Sequence, residues 1–140
     1  MAIRPDIPSA FLAVPYNGSV YPGSGEPTDL SQGANCQVYA YALLRHFSIS
    51  FPPLRSSELW SDQIHSVRTD TFAPLDLLLF NRTPDPYGAH VALYLGEGRA
   101  IHLSKQVGLP AEWSLEAFAQ RPEYSVLIGA KRPLGPSPGE

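Results

Sequence analysis

The sequence predicts an α+β fold with N-terminal helices packed on a central antiparallel sheet. Helical periodicity is concentrated in the first half. Cys36, Tyr39, Ala40, Leu43, Leu44 and Phe47 recur at i, i+3/4, i+7/8 and i+11, one apolar face of a helix. Short apolar runs fill the second half, joined by turn residues as in a strand meander. Fifteen prolines and eleven glycines disfavour long helical repeats and favour a loop-rich mixed fold.

Residues 1–34 are rich in Pro, Gly, Ser and Asp, and the stretch from Tyr16 to Gly33 reads as ordered loop, with Tyr16 and Tyr21 able to pack beside a site. The first helix spans about Asn35 to Phe47, with Asn35 as a good N-cap. Phe51-Pro52-Pro53 ends that unit. A second short helix starts at Ser56 or Ser57 and passes through Leu59, Trp60 and Ile64. Pro74 opens a buried strand, Leu75 to Phe80, and Asn81 to Gly88 is a turn-rich loop. His90 to Leu95 and Arg99 to Ser104 are strands joined through Gly96-Glu97-Gly98. Ser114 to Gln120 is a capped short helix, and Ser125 to Ala130 a last strand.

The 140 residues, 44% hydrophobic and 16% charged, suit one domain over 1–132, followed by a disordered tail, 133–140. The formal charge of −3, with no basic cluster beyond Lys131-Arg132, is not the footprint of a nucleic-acid binder. No apolar run is long enough to span a membrane, so no membrane insertion is expected, and Ala10 to Val14 is too short for a signal-peptide core. The sequence thus reads as cytoplasmic, with export by another route left open. It is silent on oligomeric state.

Cys36 is the single cysteine, so no internal disulfide can form. At the first turn of a helix, unpaired N–H groups and the helix dipole favour a thiolate, and nearby amides can hold an oxyanion. The same position also suits an inert core thiol beside Leu43 and Phe47. A thiolate nucleophile needs a base. His46 lies about 15 Å along the helix from Cys36, too far to serve, and His65 ends the second helix. His90 and His102 lie in apolar strands, where each alone also reads as a hydrogen-bonded core or edge histidine.

Their relation depends on register. A two-residue loop, Glu97-Gly98, pairs residues whose numbers sum to 195 and turns His102 away from His90. A three-residue loop, Gly96-Glu97-Gly98, makes the sum 194. His102 then opposes Ala92 on His90's face, about 7–8 Å away on the diagonal. This second register permits a nucleophile, base and orienter.

The segment Gly33-Ala34-Asn35-Cys36-Gln37 with its following helix resembles the nucleophile motif of the NlpC/P60 cysteine peptidases. Pro74-Leu75-Asp76-Leu77-Leu78-Leu79-Phe80 resembles their "PGDLVFF" strand. His90-Val91-Ala92-Leu93-Tyr94-Leu95-Gly96-Glu97-Gly98-Arg99-Ala100-Ile101-His102 resembles their "HVGIYLGNGKFIH" hairpin. The similarity covers roughly residues 14–105, in the order Cys, His, third polar residue. It implies a papain-like α+β fold and hydrolysis of amide bonds, typically the γ-D-glutamyl–diamino-acid link of peptidoglycan peptides. It assigns Cys36 as nucleophile, His90 as general base and His102 as orienter. Tyr16 is the better candidate for the tyrosine often found near the nucleophile, Tyr21 the second. Asn35 and Gln37, where the family usually has Asp and Ser, are substrate-side candidates. Leu75 and Ala92 stand where glycine is usual. No metal or cofactor is expected, and the expected partner is a peptide or peptidoglycan fragment.

Two other readings remain open at this level. One Cys with two or three His can bind zinc, although the close pairs that mark such sites are missing. A binding or toxin-like module on the same fold, acting on a different amide or ester, would fit the changed neighbours of Cys36.

Overall fold

Asn35 fixes the start of the long helix. Its backbone is extended, and its Oδ1 accepts from the N–H groups of Gln37 (3.1 Å) and Val38 (2.9 Å), two of the donors that a helix start leaves unpaired. Helix α1 then runs Cys36–His46 and buries every residue from Gln37 to Leu44. The structure is a computed structural model, and it describes residues 4–24 and 30–134. A 3₁₀ turn at Ser9–Leu12 precedes α1. After it come α2 (Ser56–Ser61), β1 (Ser66–Thr69), β2 (Leu77–Asn81), β3 (His90–Gly96), β4 (Arg99–Leu103) and β5 (Pro110–Ser114). Helix α3 (Leu115–Ala119), a 3₁₀ turn at Pro122–Tyr124 and β6 (Val126–Pro133) complete the order. The six strands form one antiparallel sheet, ordered β1-β6-β2-β3-β4-β5. The α+β class and the antiparallel sheet agree with the sequence reading.

Several boundaries differ from that reading, each for a local reason. Helix α2 stops at Ser61 instead of reaching Ile64. The Asp62 carboxylate accepts from the His65 N–H (3.0 Å) and the Ser66 hydroxyl (2.7 Å), and buried Lys131 donates to the carbonyls of Trp60 and Asp62. These bonds turn the chain into β1, a strand that the sequence did not announce. Only Ser66 of β1 is buried, so it carries no apolar alternation and pairs through its backbone with β6. Strand β5 went unread for a similar reason. It is half-buried throughout and starts with Pro110, which an edge strand tolerates. Strand β2 begins at Leu77 rather than Leu75 because Leu75 has φ +76°, in the left-handed region. Strand β6 reaches Pro133, which pairs with Ser66, and the Leu134 N–H donates to the His65 carbonyl at 3.0 Å. The expected tail therefore starts inside the sheet, and its residues 135–140 lie outside the described residues.

The sheet is covered on both faces. Leu77, Leu79, Val91, Leu93, Leu95, Ile101 and Leu103 share one core with Tyr39, Leu43 and Leu44 of α1. The opposite face packs Leu78, Phe80, Ala92, Tyr94, Ala100 and Ala130 with Phe118 of α3 and Tyr124. Period-2 alternation along β2, β3 and β4 sorts these residues into two cores.

The hairpin between β3 and β4 combines both registers considered from the sequence. Its tip is the two-residue turn Glu97-Gly98, with φ +56° and +73°, the pair of positive φ values that a type I′ turn requires. Gly96 pairs with Arg99, but the register shifts by one before Tyr94 pairs with Ala100 and Leu93 with Ile101. The bulge restores the sum of 194 beyond the tip, as a three-residue loop would have done. Continuing that register sets His102 opposite Ala92, on the face of His90.

Candidate active site

Cys36 enters the site at the start of α1, where it approaches the first residues of β3. The N–H groups of Val91, Gln37 and Cys36 itself stabilise negative charge on its sulfur, but burial outweighs them and pushes the thiol up to about 11. Cys36 is half-buried, its exposed part opening on two adjoining cavities. The first, of about 320 Å³, is also lined by His90, Arg82, Lys105, Glu123 and Tyr124. The second, of about 280 Å³, is lined by Asn35, Gln37, Arg55 and Tyr87. Tyr16, Cys36, Gly88 and Ala89 border both, so the cysteine lies at the junction.

His90 and His102 meet directly. His90 Nε2 lies 2.8 Å from His102 Nδ1, with the rings nearly perpendicular at 86°. The His90 ring stacks on Tyr124 at 4.5 Å between centroids. Burial, followed by the neighbouring His102, holds His90 well below the ordinary histidine value. His102 is buried and pushed down to about 3, first by burial and then by the charge of Arg121. Thiol and imidazoles therefore rest neutral at pH 7. Cys36 and His90 thus line one cavity with no resting charge on either.

Tyr16 belongs to the site through its backbone. It bridges Ala34 as an isolated parallel pair, the Tyr16 N–H donates to the Gly108 carbonyl (2.9 Å), and the Ala34 N–H donates to Pro15 (3.1 Å). Burial, then Cys36, raises its phenol above the ordinary value. Tyr21 borders neither cavity and instead lies under the Arg55 guanidinium, 5.0 Å from the ring centroid. Gly33 makes the Tyr16 bridge possible. Its φ is +88°, and a Cβ there would sit 2.5 Å from the Pro15 carbonyl oxygen. Gly33→Ala is expected to destabilise the chain by about 2 kcal/mol or more through left-handed strain and this clash, measured as a lower urea midpoint at unchanged m-value.

The two residues beside Cys36 do structural work. Asn35 uses Oδ1 to cap α1, and in doing so engages the Gln37 N–H. Gln37 is buried and its Nε2 donates to the Leu54 carbonyl at 3.2 Å. Both still border the second cavity. His46 and His65 are exposed and away from the cavities, and His65 follows α2 without belonging to it. Among the described residues no three His, Cys, Asp or Glu side chains gather as a set able to hold a metal ion.

Sequence reasoning passed over the far wall of the site, formed by Trp113, Phe118 and Tyr124 around the histidine pair, and over the cations Arg82 and Lys105. Ser114 followed by Leu115 and Phe118 at i, i+3 was the available signal: a capped helix with an apolar stripe needs a surface to cover.

The fold carrying this arrangement is NlpC/P60-like, as comparison with solved structures shows. An NlpC/P60 family protein from Bacillus cereus superimposes with a TM-score of 0.61 at 20% identity over 91% of this chain. The chain spans 38% of that protein's length. The NlpC/P60 domain of the peptidoglycan hydrolase SagA gives a TM-score of 0.58 at 17% identity, covering 90% of this chain and 92% of that one. The peptidoglycan hydrolase RipB of Mycobacterium tuberculosis gives 0.57 at 16% identity, covering 92% of this chain and 61% of that one. No protein-family model and no curated protein matches the sequence.

Proposed function

We propose that the chain is a cysteine hydrolase that cleaves amide bonds in peptidoglycan-type peptides, at a γ-D-glutamyl–diamino-acid link. The observation that carries the proposal is the 2.8 Å His90–His102 contact at the wall of the cavity that Cys36 also lines. The names of SagA and RipB as peptidoglycan hydrolases support the substrate class. Cys36 Sγ attacks the carbonyl carbon while its proton passes to His90 Nδ1. The C–N bond breaks as His90 returns that proton to the leaving amine. Water, deprotonated by His90, then hydrolyses the thioester and frees the carboxylate and the thiol. This route needs His90 Nε2 to donate to His102 Nδ1, 2.8 Å away, which then fixes the imidazole plane with Tyr124 stacked behind it. The reaction so written uses no metal or cofactor.

The test is incubation of the whole chain with a synthetic L-Ala-γ-D-Glu-diamino-acid peptide, with fragments read by mass spectrometry. Release of the diamino acid supports the proposal, and an intact peptide after prolonged incubation overturns it. Charge in the cleft favours an acidic ligand. Within a chain of net charge −3, the two cavities present Arg82, Lys105 and Arg55 against one carboxylate, Glu123. Reversing both Arg82 and Lys105 to Glu is expected to raise KM for such a peptide about tenfold, with kcat little changed and the effect shrinking in high salt.

A further inference from the structure

A hydrogen bond between two neutral imidazoles uses one hydrogen. For His90 to take the thiol proton at Nδ1, its own hydrogen must lie on Nε2 and point at His102 Nδ1. Neutral His102 then carries its hydrogen on Nε2. That nitrogen is buried and has no hydrogen-bond partner among the described residues. A buried donor with no acceptor is costly in a folded protein.

Its surroundings are aromatic. The Trp113 ring centroid lies 4.2 Å from that of His102 with the planes at 66°, an edge-to-face approach, and Phe118 lies at 4.6 Å. Edge-to-face geometry brings ring-edge hydrogens to the electron-rich face of the other ring, where an N–H finds a weak acceptor. Arg121 caps the same indole, its Cζ 4.7 Å from the ring centroid.

We propose that Trp113 is a positioning residue for the triad: its indole face receives the Nε2–H of His102 and so selects the tautomer whose Nδ1 accepts from His90. This rests on the roles given above to His90 and His102. The opposite tautomer would turn a nitrogen lone pair toward the same electron-rich face, which is repulsive. Arg121 adds a second restraint, because its charge disfavours a second proton on His102. The proton taken up by His90 therefore stays on His90 until the leaving amine collects it. A neutral imidazole can in this way orient the base where a carboxylate would otherwise serve.

The test uses imidazole ¹⁵N–¹H NMR and peptide cleavage on the whole chain, with Trp113→Phe and Trp113→Leu beside the wild type. Expected for the wild type and for Trp113→Phe is a His102 Nε2–H tautomer whose proton is shifted upfield by an aromatic face. Expected for Trp113→Leu is loss of that shift, a mixed tautomer population and a kcat lower by about tenfold or more at nearly constant KM. An Nδ1–H His102 in the wild type would overturn the inference. So would a Trp113→Leu protein with an unchanged tautomer and wild-type kcat. A wild-type protein that shows the expected tautomer but cleaves no γ-D-glutamyl peptide would overturn the hydrolase reading alone. If Trp113→Leu fails to fold, the ring-current shift decides: a smaller upfield shift of the His102 Nε2 proton in Trp113→Phe than in the wild type supports the inference, and an equal one overturns it.

Discussion

Replacing His90 with alanine is expected to lower kcat for γ-D-glutamyl peptide cleavage by about 10²–10⁴-fold, and replacing Cys36 with alanine to remove measurable turnover. The size of the first effect follows from the resting state. Burial holds the Cys36 thiol up at about 11 and the His90 imidazole well below its ordinary value. Few molecules therefore carry a thiolate at pH 7, and in the proposed mechanism attack depends on His90 taking the thiol proton. Without His90, only that small thiolate fraction can react. Steady-state kinetics of the two variants check this, and the pH dependence adds a second reading. In wild type the acid limb should lie below pH 6.5, because His90 stays neutral there. In His90→Ala the remaining rate should climb with pH as the thiolate fills.

Stability should fall steeply as the solution is acidified from pH 6.5, because His90 and His102 are both buried neutral. Each has a folded-state pKa below its unfolded value of 6.5, with that of His102 at about 3. Below pH 6.5 the unfolded chain gains protons that the folded chain refuses, so the unfolded state is favoured. The stability contributed by each ring is fully present above pH 6.5. It declines with falling pH by about 1.4 kcal/mol per unit for each ring until its folded pKa is reached. For His102 that window runs from 6.5 to about 3. The carboxylates of Asp62 and Glu112 are held below their usual range by hydrogen bonds, despite burial, and so act at the acid end of this window. Urea unfolding at pH 7.5 and pH 5 measures the effect. A His102→Leu variant should show a flatter profile between those two pH values, whatever its stability at pH 7.5. An unchanged slope would show that His102 takes up a proton as readily folded as unfolded.

What was legible in the sequence had a period or a cap. Helix α1 was readable because Asn35 caps it and Leu43, Leu44 and Tyr39 mark one face. Strands β2, β3 and β4 were readable because they lie at the centre of the sheet, where burial writes apolar residues into nearly every position. Edge strands β1 and β5 carry no such mark, since backbone pairing on one side specifies no side chain. Leu75 was conspicuous as a departure from a usual glycine, and its φ of +76° explains why glycine suits that position. The hairpin register could be narrowed to two options but not decided, because a bulge beside Gly96 joins the tip of one to the offset of the other. Asn35 and Gln37 stood out as neighbours of the cysteine, yet their side chains hold the helix start and the loop at Leu54. The aromatic wall was hidden for another reason. Trp113, Phe118 and Tyr124 converge on His102 from β5, α3 and the following turn, a convergence produced by tertiary packing and not by any spacing along the chain.

The most direct test of the central proposal is alkylation of Cys36 by iodoacetamide in the folded protein at pH 7.5, followed residue by residue by mass spectrometry. The expected result is an adduct at Cys36 in wild type that forms at least about tenfold faster than in His90→Ala. A folded wild-type protein left unmodified while the denatured chain reacts, or equal rates with and without His90, would contradict it.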